Sequence, residues 1–215
     1  MKLYGNSASP YVRKTLAFAA EKGMALELVA AGMGGGPPEF RLASPFGKMP
    51  AFQDGDFMLA DSTAIITYLD AVQPEPYLIP TEPKARARTI WFEEFADTMM
   101  VATIGKMFFN RFVAPRVMGR EGDLAAADAA EATELPPILD YLEGQIPASG
   151  FLIEDRLTLA DLAVASPFQN LALIGVKPDA ARYPKVAAHA AAILARPSFA
   201  GWCEQEFRMF GVERA

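Results

Sequence analysis

Asp61 and Ser62 stand at the head of a helical pattern, with Ala64, Ile65, Tyr68, Leu69 and Val72 recurring on one face behind them. The unpaired N–H groups of a helix N-terminus favour a carboxylate. An aspartate beside them favours a cation. The corner therefore suits a zwitterionic α-amino acid head, with Ser62 on the carboxylate and Asp61 on the ammonium. Helix capping alone would also account for the pair. Met49-Pro50 opens the run that leads to this corner. A cis bond there, rare outside X-Pro, would turn the Met49 backbone outward to pair with an extended peptide. The ligand implied has an amino-acid head and a peptide body.

These residues need a scaffold, and the chain spells one out. Met49 to Phe52 reads as a strand with proline at its start, where no ladder donor is needed. Asp54-Gly55 predicts a tight type I′ turn, and Asp56 to Leu59 the antiparallel return. Upstream, Lys2-Leu3-Tyr4 is a first strand, followed by the polar loop Gly5-Asn6-Ser7-Ala8-Ser9. Pro10 suits the first helical position, which makes Ser9 the N-cap. Val12, Leu16, Ala19 and Ala20 form the apolar face, and Gly23 ends the helix. Leu26 to Val29 is a second strand, so the segment is a right-handed βαβ unit. Gly32 to Gly36 is a glycine-rich loop and Pro37 to Phe40 begins a short helix. Together these predict a mixed four-stranded sheet.

Prolines 74, 76, 80 and 83 mark a linker. Beyond it the pattern is helical. Ile90, Trp91, Phe95, Met99 and Ile104 recur from Lys84 onward, and Pro115 should kink or end that helix. Residues 123–145 read helical with a break at Pro136-Pro137. Thr158 and Asp161 form a capping box, with Leu157 and Leu162 as its hydrophobic staple. A kink is expected at Pro167, and further helices open at Pro184 and Pro197. The organisation expected is 1–76, a linker 77–83, and an all-helical 84–215.

Composition narrows the function classes. The 215 residues are 52% hydrophobic, enough for a sizeable core. With 20 basic and 26 acidic residues, net −6, a nucleic-acid partner is not expected. No apolar run approaches a membrane span, and the first residues enter a strand pattern without a signal-peptide core. The single cysteine, Cys203, fits a reducing compartment and a small buried hydrophobe, so the expected location is cytoplasmic. The single histidine, His189, excludes a His-rich metal site; no metal is expected, and His189 reads as a helix-surface residue.

The run S-P-F-G-K-M-P-A-F-x-D-G-D-x-x-L-A-D-S-x-A-I-x-x-Y-L resembles the glutathione-binding half of the cytosolic glutathione transferase family. Glutathione has the amino-acid head and peptide body inferred above. The resemblance implies an α/β thioredoxin-like N-terminal domain (βαβαββα) and an all-α C-terminal domain. It implies glutathione as co-substrate and a twofold homodimer engaged in detoxification. The segment S-P-Y-V-R-K resembles the active-site segment of serine-type, bacterial-like members, which assigns thiolate stabilisation to Ser9. A hydroxyl donor and a helix N-terminus together supply about the 2.7 kcal/mol that a two-unit pKa depression requires. Ser7, Asn6 and Tyr4 are the alternative donors, and Arg13 and Lys14 read as solvated. A serine in place of cysteine precludes a mixed disulfide at this site.

Lys48, Met49, Pro50, Asp61 and Ser62 are the glutathione-binding candidates implied by the same run. Phe46 reads as local packing or, by the resemblance, as a dimer contact. Soft and aromatic side chains suit a pocket for varied apolar molecules. Met107, Phe108, Phe112, Phe207 and Phe210 are the candidates for it. The expected reaction joins the glutathione thiolate to a small apolar electrophile, or reduces a peroxide. A glutathione-dependent isomerase or hydrolase, and a non-catalytic binding protein on the same fold, are the alternatives.

Overall fold

The computed structural model describes residues 1–32 and 35–213. Residues 33 and 34 of the glycine-rich loop, and the last two residues of the 84–215 segment, lie outside the described residues. β1 (Lys2–Gly5), α1 (Pro10–Glu21), β2 (Glu27–Ala30), α2 (Pro38–Ala43), β3 (Ala51–Asp54), β4 (Phe57–Ala60) and α3 (Ser62–Val72) follow one another as expected. The strand order is β2-β1-β3-β4. β2 runs parallel to β1, and β3 and β4 complete the sheet antiparallel.

Successive strand side chains point to opposite faces, and the register uses this. Leu3 pairs with Phe52, and both join Val12, Leu16 and Ile65 on one side. Tyr4 pairs with Ala51, and both pack against Phe40 of α2 on the other. A methyl group on Gly5 would meet Val12 Cγ2 at 2.6 Å, so the end of β1 lies this close to α1 only as glycine. The β3–β4 turn differs from expectation. Asp54 still pairs with Phe57, so the two-residue loop is Gly55-Asp56. Of these two only Gly55 has positive φ, the pattern of type II′ rather than I′.

The remaining chain is helical. α4 (Pro83–Glu94) passes into a π-helical stretch (Phe95–Met100), α5 (Val101–Phe108) and a second π-helical stretch (Phe109–Val117). Pro115 sits inside that second stretch, which ends two residues later. α6 (Leu124–Ala129) continues through a third wide stretch (Ala130–Glu134) into α7 (Leu135–Gln145), where Pro136 and Pro137 occupy the first turn. Proline is tolerated there because first-turn N–H groups have no intrahelical partner. α8 (Leu159–Leu173) runs through Pro167 without a break and carries the capping box in full. α9 (Pro184–Leu194) and α10 (Pro197–Phe210) close the domain. Among the described residues, no helix is long and apolar enough to cross a membrane.

α1 is held between the sheet and α8 and α10. Phe18, Leu162, Ile193, Phe199 and Cys203 share one buried cluster with Leu3 and Phe52. Full burial of a phenylalanine contributes roughly 1.5–3 kcal/mol, so Phe18 and Phe199 weld the two halves substantially. Two surface expectations are corrected. His189 is buried on α9, where Nδ1 donates to the Gly150 carbonyl at 2.8 Å, because α9 packs on α8 and the loop before it. Phe46 is 90% exposed and packs into no core of this chain.

The turn after α3 is closed by one side chain. Lys22 Nζ donates to the carbonyls of Gln73 (2.7 Å), Pro74 (2.9 Å) and Pro76 (2.9 Å) and pairs with Asp70 at 2.7 Å. Breaking a buried ion pair from one side costs about 3–5 kcal/mol. Lys22→Met is expected to lose roughly that amount in urea unfolding. A loss under about 1 kcal/mol would mean that water satisfies those carbonyls equally well.

Candidate functional site

The polar loop between β1 and α1 is built around Ser9. Its backbone is extended (φ −74°, ψ 125°), its carbonyl accepts from Arg13 N at 2.9 Å, and its N–H donates to Asn6 O at 3.0 Å. Ser9 is thus the N-cap by backbone geometry, yet its hydroxyl makes no capping bond. Asn6 Oδ1 accepts from Ala8 N at 2.9 Å, so the loop's tight turn is made by the asparagine. The serine hydroxyl stays available beside the positive end of α1.

Ser9 borders a cavity of about 510 Å³ between the two halves of the chain. One wall is Asn6, Ala8, Ser9, Pro10, Ala30, Ala31, Gly32, Gly35 and Met49. The other is Val101, Ile104, Gly105, Phe108, Phe112, Val113, Val117, Pro167, Asn170 and Phe210. None of these lining residues is charged. Phe108 and Phe112 stack at 5.0 Å, and Phe210 meets Phe112 edge-on at 4.8 Å. A mostly apolar cleft with a few convergent polar groups is the usual form of a small-molecule site.

The other candidates divide. Ser7 is buried and Tyr4 is buried among Phe40 and Ala51, its hydroxyl donating to Gln53; neither reaches the cavity. Met107 is fully buried in the core of the helical domain, so it is not a pocket residue. Phe207 packs behind Phe108 and Phe112 rather than lining the cavity. Both are corrections: helix phase turns Met107 inward and places Phe207 in a second layer. Val101, Gly105, Val113 and Val117 are wall residues that composition did not single out. Their signal is positional, since 101, 105, 108 and 112 recur at helical spacing.

The Met49-Pro50 peptide is cis. Pro50 is buried, while Lys48 is exposed and its carbonyl accepts from Ser44 Oγ at 2.7 Å. Asp61 caps α3, with Oδ1 accepting from Thr63 N (2.9 Å) and Ala64 N (3.1 Å). Its φ of +82° is unusual for a residue with a side chain. Such a conformation costs about 1–3 kcal/mol and clusters at ligand sites. Ser62 is buried, its Oγ 3.4 Å from Asp97 Oδ2. Lys48, Pro50, Asp61 and Ser62 do not line the cavity; Tyr11 and Lys14 of α1 link the Ser62 corner to it.

That link is a buried charged network absent from the sequence reading. Tyr11 Oη donates to the Asp97 carbonyl at 2.9 Å. Burial first, then the charges of Asp97 and Asp61, push its phenol up to about 12, so it remains a donor. Lys14, expected in solvent, is buried and pairs with both Glu93 and Asp97. Thr63 Oγ1 donates to Glu93 Oε1 at 2.7 Å. Burial holds the Asp97 carboxyl up at about 6, against the opposing pull of Lys14. Arg13, also expected in solvent, is fully buried and grips Glu206 with two bonds of 3.0 Å. Buried charges require such partners because desolvation is otherwise prohibitive. Among the described residues, no group of side chains could hold a metal ion.

Comparisons with known proteins agree with this architecture. Residues 3–77 match the glutathione S-transferase N-terminal domain and residues 115–206 the C-terminal domain. A glutathione S-transferase of Hyoscyamus muticus is 33% identical over 93% of this chain and 95% of its own. Glutathione S-transferase 3 of Zea mays is 31% identical over 93% and 91%. The crystal structure of a Rhodospirillum rubrum glutathione S-transferase superposes with a TM-score of 0.84 at 26% identity, covering 94% of this chain and 90% of that one. A maize glutathione S-transferase I, solved in complex with an atrazine glutathione conjugate, superposes at 0.79 with 26% identity, covering 94% and 96%. With both domains matched and this identity sustained along the chain, the protein belongs to the glutathione S-transferase family.

Proposed function

We propose that this chain binds glutathione along the Met49–Ser62 segment and transfers its thiolate to a small apolar electrophile held in the cavity. The observation that carries the reading is Ser9: an N-cap whose hydroxyl makes no capping bond, set in the wall of an uncharged cleft. The γ-glutamyl ammonium meets Asp61, whose capping bonds both fall on Oδ1. The γ-glutamyl carboxylate meets Ser62 at the start of α3. The Met49 backbone pairs with the peptide, and Lys48 reaches towards the glycine carboxylate. The Ser9 hydroxyl and the α1 N-terminus hold the thiolate. Its sulfur lone pair forms the new bond to carbon while the leaving group departs with its electron pair; the thiol proton has already passed to water.

Phe108, Phe112 and Phe210 hold the electrophile by apolar and edge-on contact, a pocket that selects for apolar character. The maize relative was solved with a conjugate of glutathione and atrazine, which supports the reading of one site for both molecules. Cytoplasmic work as a homodimer in detoxification suits the single cysteine and the 90% exposed Phe46, which a second subunit would cover. The domain division 1–76, 77–83 and 84–215 places the peptide site in the first part and most of the apolar wall in the last.

The test is glutathione binding by calorimetry together with conjugation of a chromogenic aryl halide. Asp61→Asn retains a capping oxygen and removes the charge. It is expected to weaken glutathione about tenfold, roughly 1.4 kcal/mol, the order of a hydrogen bond to a charged group. Unchanged affinity would remove the ammonium from this corner. Tight binding without turnover on any electrophile would favour the binding-protein reading.

A further inference from the structure

The serine loop is gripped from outside its own domain. Asn170 of α8, almost fully buried, donates from Nδ2 to the Ala8 carbonyl at 2.8 Å. One helical turn earlier, Ser166 Oγ donates to the Pro10 carbonyl at 2.8 Å. These are the carbonyls of the residues on either side of Ser9, whose own carbonyl accepts from Arg13 N. Arg13 ties the two α8 residues together. Its Nη1 donates to Ser166 O (2.6 Å), Ser166 Oγ (3.3 Å) and Asn170 Oδ1 (3.2 Å). Its other two nitrogens, Nε and Nη2, donate to Glu206 of α10, one turn before the cavity residue Phe210.

We propose that Asn170 and Ser166 are positioning residues for the thiol step, clamping the peptide unit that enters Ser9 and the one that leaves Pro10, so that the backbone carrying the Ser9 hydroxyl is set from α8. The need for such a clamp follows from the cap itself. A capping serine is ordinarily fixed by the bond its side chain makes to the helix. Ser9 makes none, so its orientation must be imposed through the backbone. A hydrogen bond to an anion depends steeply on angle and distance. A loop free to tilt would therefore lose thiolate stabilisation while retaining the peptide-binding surface on the far side of α1. The Arg13–Glu206 pair adds a further consequence: the helix that carries Phe210 and the two α8 residues that hold the Ser9 loop share one guanidinium.

This inference rests on Ser9 as the thiolate donor, and the experiment separates the two. The pKa of the bound glutathione thiol is read from thiolate absorbance in Asn170→Ala and Ser166→Ala, each with and without Ser9→Ala. Calorimetry gives the affinity in parallel. In the Ser9-containing enzyme, Asn170→Ala is expected to raise the thiol pKa by about one unit, a tenfold loss of thiolate below that pKa. Measured below about pH 6, where the bound thiol is protonated in both proteins and linkage to its pKa vanishes, glutathione affinity should change less than about threefold, because the head-group corner is untouched. In the Ser9→Ala background the same substitution should leave the thiol pKa where it is, since its effect acts through the hydroxyl. Ser166→Ala, a smaller change in the same clamp, gives the same answer should Asn170→Ala fail to fold. An unchanged pKa in the folded single variants, or an equal rise without Ser9, overturns the clamp. If Ser9→Ala alone leaves the pKa unchanged, the donor assignment fails first and the clamp with it.

Discussion

Ser9→Ala is expected to cut the thiolate fraction of bound glutathione at neutral pH about 25-fold. A thiol of ordinary pKa, near 8.5, is about 3% ionised at pH 7, and one depressed by two units is about three-quarters ionised. Turnover should fall by less than this. A more basic thiolate is intrinsically more nucleophilic, by roughly 6–10-fold over two units at a Brønsted slope of 0.4–0.5. The diagnostic result is therefore the pH profile rather than the rate at one pH. The variant should recover activity as pH rises towards about 8.5, where its thiol ionises unaided, while the wild type is already flat. Stopped-flow conjugation across that range, with the thiolate absorbance beside it, measures both. A profile that merely drops without moving would assign Ser9 to substrate placement instead. The donor would then be Asn6, the other hydrogen-bonding residue of the loop that borders the cavity.

The parts of this site that were legible in the sequence are those made locally. Met49-Pro50, the Asp61-Ser62 cap and the Ser9-Pro10 helix start each depend on a few adjacent residues, whose backbone preferences are strong. The mixed four-stranded sheet followed from the same short-range signals, its order β2-β1-β3-β4 from the structure alone. The apolar wall was legible by residue type but not by phase. Phe108, Phe112 and Phe210 reach the cavity, while Met107 turns into the core and Phe207 stands behind. The wide π-helical turns at Phe95–Met100 and Phe109–Val117 explain part of this, because they shift the register that a 3.6-residue period assumes. Trp91 and Met99, both on the expected apolar spacing, are each 51% exposed.

What no local pattern could show is pairing across the fold. Arg13 finds Glu206, Lys14 finds Glu93 and Asp97, and His189 finds Gly150. A charged pair beside a helix start reads as solvated because most such residues are. Only the packing of α1 under α8 and α10 removes the water. The burial of Arg13 and Lys14 is thus a property of the domain contact, and the same contact places the serine loop against α8.

Lys14→Met should therefore be among the most damaging substitutions on α1. The methionine fills the space, but Glu93, with no exposure, and Asp97, at 14%, are left without their cation. Removing one partner of a buried pair costs about 3–5 kcal/mol, a large share of a typical domain's stability. The loss should depend on pH in a definite direction. The Asp97 carboxyl is raised from 3.8 to about 6, first by burial, with Lys14 pulling it down. A carboxyl raised in the folded state contributes stability that is complete below its unfolded value and disappears as pH rises through the folded one. Without Lys14 the folded value moves higher still, so the variant sheds stability over a window reaching above 6. The gap between variant and wild type should narrow on acidification towards pH 4. Adding Glu93→Gln should recover part of the loss, because Thr63 can still donate to the amide oxygen while the uncompensated charge is gone. Urea unfolding of the three proteins across this range decides the matter. A pH-independent loss with no rescue would mean that Lys14 acts by packing alone, and that the charges beneath the Ser62 corner contribute nothing to holding it.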